Sequence, residues 1–76
     1  MKTLHDLPIA QEGIIQEVHN PGTIKRRLLD LGILKGSSIC PMLENATHDM
    51  RAYMIKGALI ALRSSESSLI EVEERR

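Results

Sequence analysis

The chain has 76 residues with ten basic and ten acidic side chains, a formal net charge of +0, so it forms one domain (residues 1–76) and no global field draws it to nucleic acid or to an acidic membrane surface. It contains no Trp, no Phe and a single Tyr, so its core is built from Leu, Ile, Val, Met and Ala, and its one cysteine, Cys40, argues for a reducing cytosol over a disulfide-stapled secreted fold. Met1-Lys2 leads into no long apolar stretch and no run approaches a membrane span, which makes a cytoplasmic protein without direct membrane insertion the expectation.

In chain order, residues 3–8 (Thr-Leu-His-Asp-Leu-Pro) read as a capped turn with Leu4 and Leu7 inward and Pro8 stopping it. Gly13 opens a strand over residues 14–18, with branched residues at both ends. His19-Asn20-Pro21-Gly22 is turn chemistry. A short helix follows, with Thr23 as the expected N-cap. Ile24, Leu28 and Leu31 are spaced at i, i+4 and i+7 and are expected to share its inward face. Gly32 is placed to end the helix in the left-handed region, and Ile33 to fold back as the apolar contact of that cap. Gly36 turns into a strand over residues 37–44, where Ile39, Pro41 and Leu43 alternate with Ser38, Cys40 and Met42. Pro41 cannot donate to a ladder, so an edge or a bulge is expected there. Residues 45–49 form a polar loop. Residues 50–55 and 58–63 read as a hairpin about Lys56-Gly57. Residues 64–68 suit one helical turn capped by Ser64 or Ser65. A last strand over residues 69–73 puts Ile70 and Val72 on one face. The fold class is therefore mainly β, with five short strands and one short helix inserted after the first. In so short a chain, five strands hide their edges only by curling into a small barrel.

Three blocks in this order carry a resemblance: Gly13-Ile14-Ile15-Gln16-Glu17-Val18, then Arg26-Arg27-Leu28-Leu29-Asp30-Leu31-Gly32-Ile33-Leu34-Lys35-Gly36, then Tyr53-Met54-Ile55-Lys56-Gly57-Ala58-Leu59-Ile60-Ala61-Leu62-Arg63, with Ile70-Glu71-Val72 closing. The chain resembles the FeoA family, small cytoplasmic proteins of bacterial ferrous iron uptake, over nearly its whole length. The resemblance implies a five-stranded SH3-like barrel and a role beside the membrane ferrous transporter that carries a cytoplasmic GTPase domain. It departs from the family's commoner pattern at Lys35, where a proline is usual, and at His48-Asp49-Met50, where Gly-Asp-Pro is usual. The C-terminal barrel of iron-dependent repressors is a related match, but no DNA-binding helices precede the barrel here.

The sites follow from this frame. Lys25, Arg26 and Arg27 on the outward helix face are the expected docking patch, weighed against a merely solvated face. Arg27, closer to the apolar stripe, has Asp30 or a C-terminal glutamate as alternative partners. Leu29 lies about 100° round the helix from Leu28, so Leu29 and Leu34 join the patch if exposed. The helix together with residues 64–68 is the expected binding rim. His5, His19, His48 and Cys40 are too scattered for a metal site, His48-Asp49 could hold a metal only weakly, and Cys40 reads as a small core residue. No nucleophile elbow, phosphate-cradling loop or carboxylate pair suggests an enzyme, and no cofactor is expected. The leading function is a non-enzymatic module that binds the transporter. A nucleic-acid-binding barrel, which needs a basic groove and aromatic platforms that this chain lacks apart from Tyr53, and a direct ferrous sensor are the alternatives.

Overall fold

The computed structural model describes residues 2–75. In chain order it contains a 3-10 turn (Leu4–Asp6), strand β1 (Gly13–Val18), helix α1 (Gly22–Asp30), strands β2 (Ser38–Glu44), β3 (Met50–Ile55) and β4 (Ala58–Arg63), a one-turn helix α2 (Ser64–Ser67) and strand β5 (Ile70–Glu74). The strands form one antiparallel sheet in the order β4-β3-β2-β1-β5. β2 is the fold line. Its first residues pair with β1 (Gly13↔Ile39, Ile14↔Ser38), and from Cys40 onward it pairs with β3. The sheet thus curls over, and α2 spans from β4 at one edge to β5 at the other.

A bulge lies where proline demanded one: the β2–β3 register shifts between Pro41 and Leu43. Pro41 is buried beside Tyr53 without having to donate, and its carbonyl accepts from Ala10 N–H at 2.7 Å. The extra residue changes the phase of the strand. Ile39 and Pro41 point inward, but Leu43 points outward and is 62% exposed, against the simple alternation expected from sequence. The β3–β4 turn has positive φ at both central positions, Lys56 (49°) and Gly57 (80°), the type I′ geometry that suits hairpin twist.

The core consists of Leu4, Leu7, Ile15, Val18, Leu28, Ile33, Ile39, Tyr53, Ile55, Leu62, Ile70 and Val72. Ile70 and Val72 share the inward face of β5 as expected. The 3-10 turn closes one end of this core. Its cap is reciprocal in effect, with Thr3 N–H donating to Asp6 Oδ2 at 2.9 Å. Arg51, only 6% exposed, reaches under it and donates to the carbonyls of His5 (3.1 Å) and Leu7 (2.7 Å). Its Nε lies 3.1 Å from Glu44 Oε1, and its guanidinium carbon sits 5.7 Å from the centre of the Tyr53 ring. A buried arginine is tolerated because its fork is spread over carbonyls, a carboxylate and a ring face.

Candidate functional site

Helix α1 differs from its expected form at both ends and along its inward face. It begins at Gly22 with Pro21 in the capping position and no side-chain cap bond, so Thr23 lies inside the first turn. Of the three residues spaced to face inward, only Leu28 is buried. Ile24 is 39% and Leu31 41% exposed. The reason is the C-cap. Gly32 N–H bonds to the Leu29 carbonyl and Ile33 N–H to the Leu28 carbonyl, both at 3.0 Å, with Gly32 at φ 95°. This reversal ends the helix at Asp30 and brings Ile33, fully buried, back under Leu28. Leu28 and Ile33 together fill the space that Ile24, Leu28 and Leu31 were expected to fill.

The predicted docking residues separate into two sets. Lys25 and Arg26 are exposed and make no ion pair among the described residues, and Leu34 is 41% exposed in the loop after the cap. Leu29 is half-buried. Arg27 is exposed but engaged: its Nη2 pairs with Glu66 Oε2 of α2, a partner that is neither Asp30 nor a C-terminal glutamate. Glu66 is a junction. Its Oε1 accepts from Arg63 N–H at 2.9 Å, so α2 is capped by Glu66 itself with Arg63 in the capping position, and neither Ser64 nor Ser65 does so. Its carbonyl accepts from Asn20 Nδ2 at 3.0 Å, with Asn20 buried. The helix and the 64–68 segment therefore form one continuous rim, held by Arg27 and Asn20. On the other side of the cap, the Lys56 stem crosses Gly32 so closely that a Cβ there would meet Lys56 Cδ at 3.1 Å.

The titratable groups serve local structure. In the 45–49 loop, Asp49 accepts from Thr47 and Asn45, which lowers its pKa. His48 has φ 62°, the left-handed conformation that favours glycine, so this loop keeps a glycine-like backbone with a histidine in place. His48 Nδ1 lies 2.5 Å from Glu44 Oε2, and that hydrogen bond is the main cause of the lowered Glu44 pKa. Cys40 points outward and is half-exposed, not a core residue; partial burial raises its pKa and lowers its reactivity. Among the described residues, no three His, Cys, Asp or Glu side chains come together as metal ligands, and no helix is long and apolar enough to cross a membrane.

Sequence reasoning missed one apolar surface. The outward side chains of β2, β3 and β4 are mostly apolar, and the Met42 bulge adds to them by carrying Leu43 out beside Ala52 and Ala61. Its signals were the apolar residues at period two, Met50, Ala52 and Met54 and then Leu59 and Ala61, together with Pro41, which marked the bulge without stating its consequence.

The comparisons with known proteins can be set against this geometry. A family model described as the FeoA domain matches residues 2–74. No curated protein matches the chain by sequence. Among solved structures, the FeoA protein from Chlorobium tepidum superposes with a TM-score of 0.91 at 23% identity, covering 96% of this chain and 70% of that one. Iron(II) transport protein A from Clostridium thermocellum gives 0.91 at 26% identity over 96% of this chain, which spans 45% of that protein. FeoA from Stenotrophomonas maltophilia, solved with zinc and described as a procaryotic SH3 domain protein and candidate ferrous iron transport activating factor, gives 0.80 at 26% identity, covering 96% of this chain and 91% of that one.

Proposed function

The chain belongs to the FeoA family, and we propose that it is a non-enzymatic accessory module of ferrous iron uptake that docks on the cytoplasmic part of a membrane ferrous transporter carrying a GTPase domain. The observation that carries this reading is the allocation of α1. The helix commits only Leu28 fully to the core and leaves Lys25, Arg26 and, past its cap, Leu34 on the surface. Arg27 contributes by pairing with Glu66 of α2, which places α2 beside the helix in the same rim. Exposed charges of this kind set the rate and orientation of encounter more than the final affinity, so docking on an acidic partner surface is salt-sensitive. Any GTP hydrolysis belongs to the partner, whose turnover the module would tune.

The test is retention of the full chain by the detergent-solubilised transporter at low salt, followed by association kinetics. Reversing both free charges, Lys25→Glu with Arg26→Glu, is expected to slow association about tenfold at low salt, and the difference shrinks as salt is raised. Failure of the transporter to retain the unmodified chain at low salt overturns the reading.

A further inference from the structure

The outward face of β2, β3 and β4 is built from cross-strand rows read directly off the register. Cys40, Met54 and Leu59 form one row, Leu43, Ala52 and Ala61 the next, and Met50 with Arg63 the last. Leu43, Leu59 and Met54 are exposed, as is Met42 in the bulge beside them. Ala52 and Ala61 are the smallest residues of the middle row. Between Leu43 and Met50 they leave an open notch of about 290 Å³, bordered also by Glu44, Asn45 and Arg51. The surface is continuous with the edge of the sheet, since among the described residues no strand pairs with the far side of β4. Methionines on such a face adapt to different shapes, and a notch amid apolar rows is where an interface places its anchor side chain.

The charges around this face state what covers it. Lys56 lies at one end and Arg63 at the other, and neither makes an ion pair among the described residues, although Arg63 is near enough to Asp49 to help lower its pKa. The carboxylates at the same margin are committed within the chain. Glu44 is held by Arg51 and His48, and Asp49 by Asn45 and Thr47. A second copy laid face to face would bring a surface with uncommitted cations against its own like, with no free carboxylate to answer them. We propose that this face docks a segment of a protein partner that seats one large apolar side chain in the Ala52–Ala61 notch and carries carboxylates on either side, meeting Lys56 and Arg63. The proposal rests on the transporter-docking reading above and supplies the surface that buries area, while α1 supplies the charge that guides encounter. Lys56 connects the two, since its stem crosses the Gly32 cap of α1.

The test measures binding of the full chain and its variants to the detergent-solubilised transporter. Ala61→Glu places a carboxylate in the notch, and Met54→Lys breaks the apolar row without repelling acidic flanks. Both positions are outward on the strands, and an unchanged amide spectrum confirms the fold of each variant. The expected result is a loss of affinity of about tenfold or more for each, carried by faster dissociation. Lys56→Glu with Arg63→Glu is expected to weaken binding as well, and more at low salt. The proposal is overturned if the transporter binds the notch variants as tightly as the unmodified chain, a result that leaves the docking reading intact. If the unmodified chain is not retained, the docking reading fails and this proposal falls with it. It is also overturned if sedimentation shows self-association that Ala61→Glu abolishes, or if vesicles of anionic phospholipid bind the chain through the same residues in place of the transporter.

Discussion

The 3-10 turn Leu4–Asp6 and helix α1 use their lengths in opposite ways. The turn is three residues long, yet Leu4 and the adjoining Leu7 are both buried, and Arg51 donates to the carbonyls around it. The helix has nine residues and buries only Leu28 completely. The short element is a fastened lid on the barrel. The long one is fastened by one fully buried side chain at its C-terminal turn and by Arg27 to Glu66, and apart from the half-buried Leu29 its other side chains are exposed. Regularity of secondary structure is therefore a poor guide to structural contribution in this fold. What counts is how many buried groups an element places and how many hydrogen bonds hold it there.

This contrast can be broken experimentally. The largest effect is expected at the helix's one anchor: Leu28→Ala removes a fully buried side chain and should cost about 3 kcal/mol, read as a lower midpoint in urea unfolding with the slope unchanged. Arg51→Met should cost about 2–3 kcal/mol, because it strips donors from carbonyls beneath the turn and leaves Glu44 short of its buried partner. Hydrogen exchange should then speed up first at residues 3–7. If exchange rises instead uniformly over the strands, the lid is not a separable unit. Gly32→Ala should cost about 1–2 kcal/mol in thermal unfolding, since φ 95° is unfavourable for a side chain and the Lys56 stem occupies the space.

Smaller effects sharpen the comparison. The Thr3 hydrogen bonds hold the pKa of Asp6 below its ordinary 3.8. A carboxylate whose pKa is lowered by folding stabilises the protein above its unfolded pKa, and the contribution is lost as pH falls through the folded value. Melting temperature should therefore drop on acidification from about pH 5 to about pH 2, and Asp6→Asn should flatten part of that drop while lowering the melting temperature at neutral pH. Ile24→Ala should be nearly silent, at about 0.5 kcal/mol or less, because the side chain is already substantially exposed. A large loss there would mean that α1 is fastened along its length after all.

Much of the strand layout was legible from local chemistry. The hairpin of β3 and β4 followed from branched and apolar runs on either side of Lys56-Gly57, and its bounds match expectation residue for residue. Leu4, Leu7, Ile70 and Val72 are inward as their spacing required. The Gly32 cap with Ile33 folded beneath it was readable because only a glycine ends a helix there at low cost. The blocks around these glycines also carried the family resemblance, which the FeoA domain match over residues 2–74 bears out. On the outward face of α1, the sequence identified the exposed cations Lys25 and Arg26 but not the engagement of Arg27, since Glu66 is remote along the chain and nothing local announces the pair.

By itself, then, the sequence determined the order and type of the elements, because turns, caps and strand periodicity are encoded by neighbours a few residues apart. Only the tertiary structure decided which way the surfaces face. The one-residue bulge at Met42 reverses the phase of the end of β2 and turns Leu43 out beside Ala52 and Ala61. The cap that returns Ile33 to the core frees Ile24 and Leu31 from it. Arg51 is buried because carbonyls of a distant turn and the Tyr53 ring converge on it. The signals for the bulge and the cap are local, but which side chains they leave outside depends on the sheet and core that close over them, and the burial of Arg51 depends on carbonyls more than forty residues away.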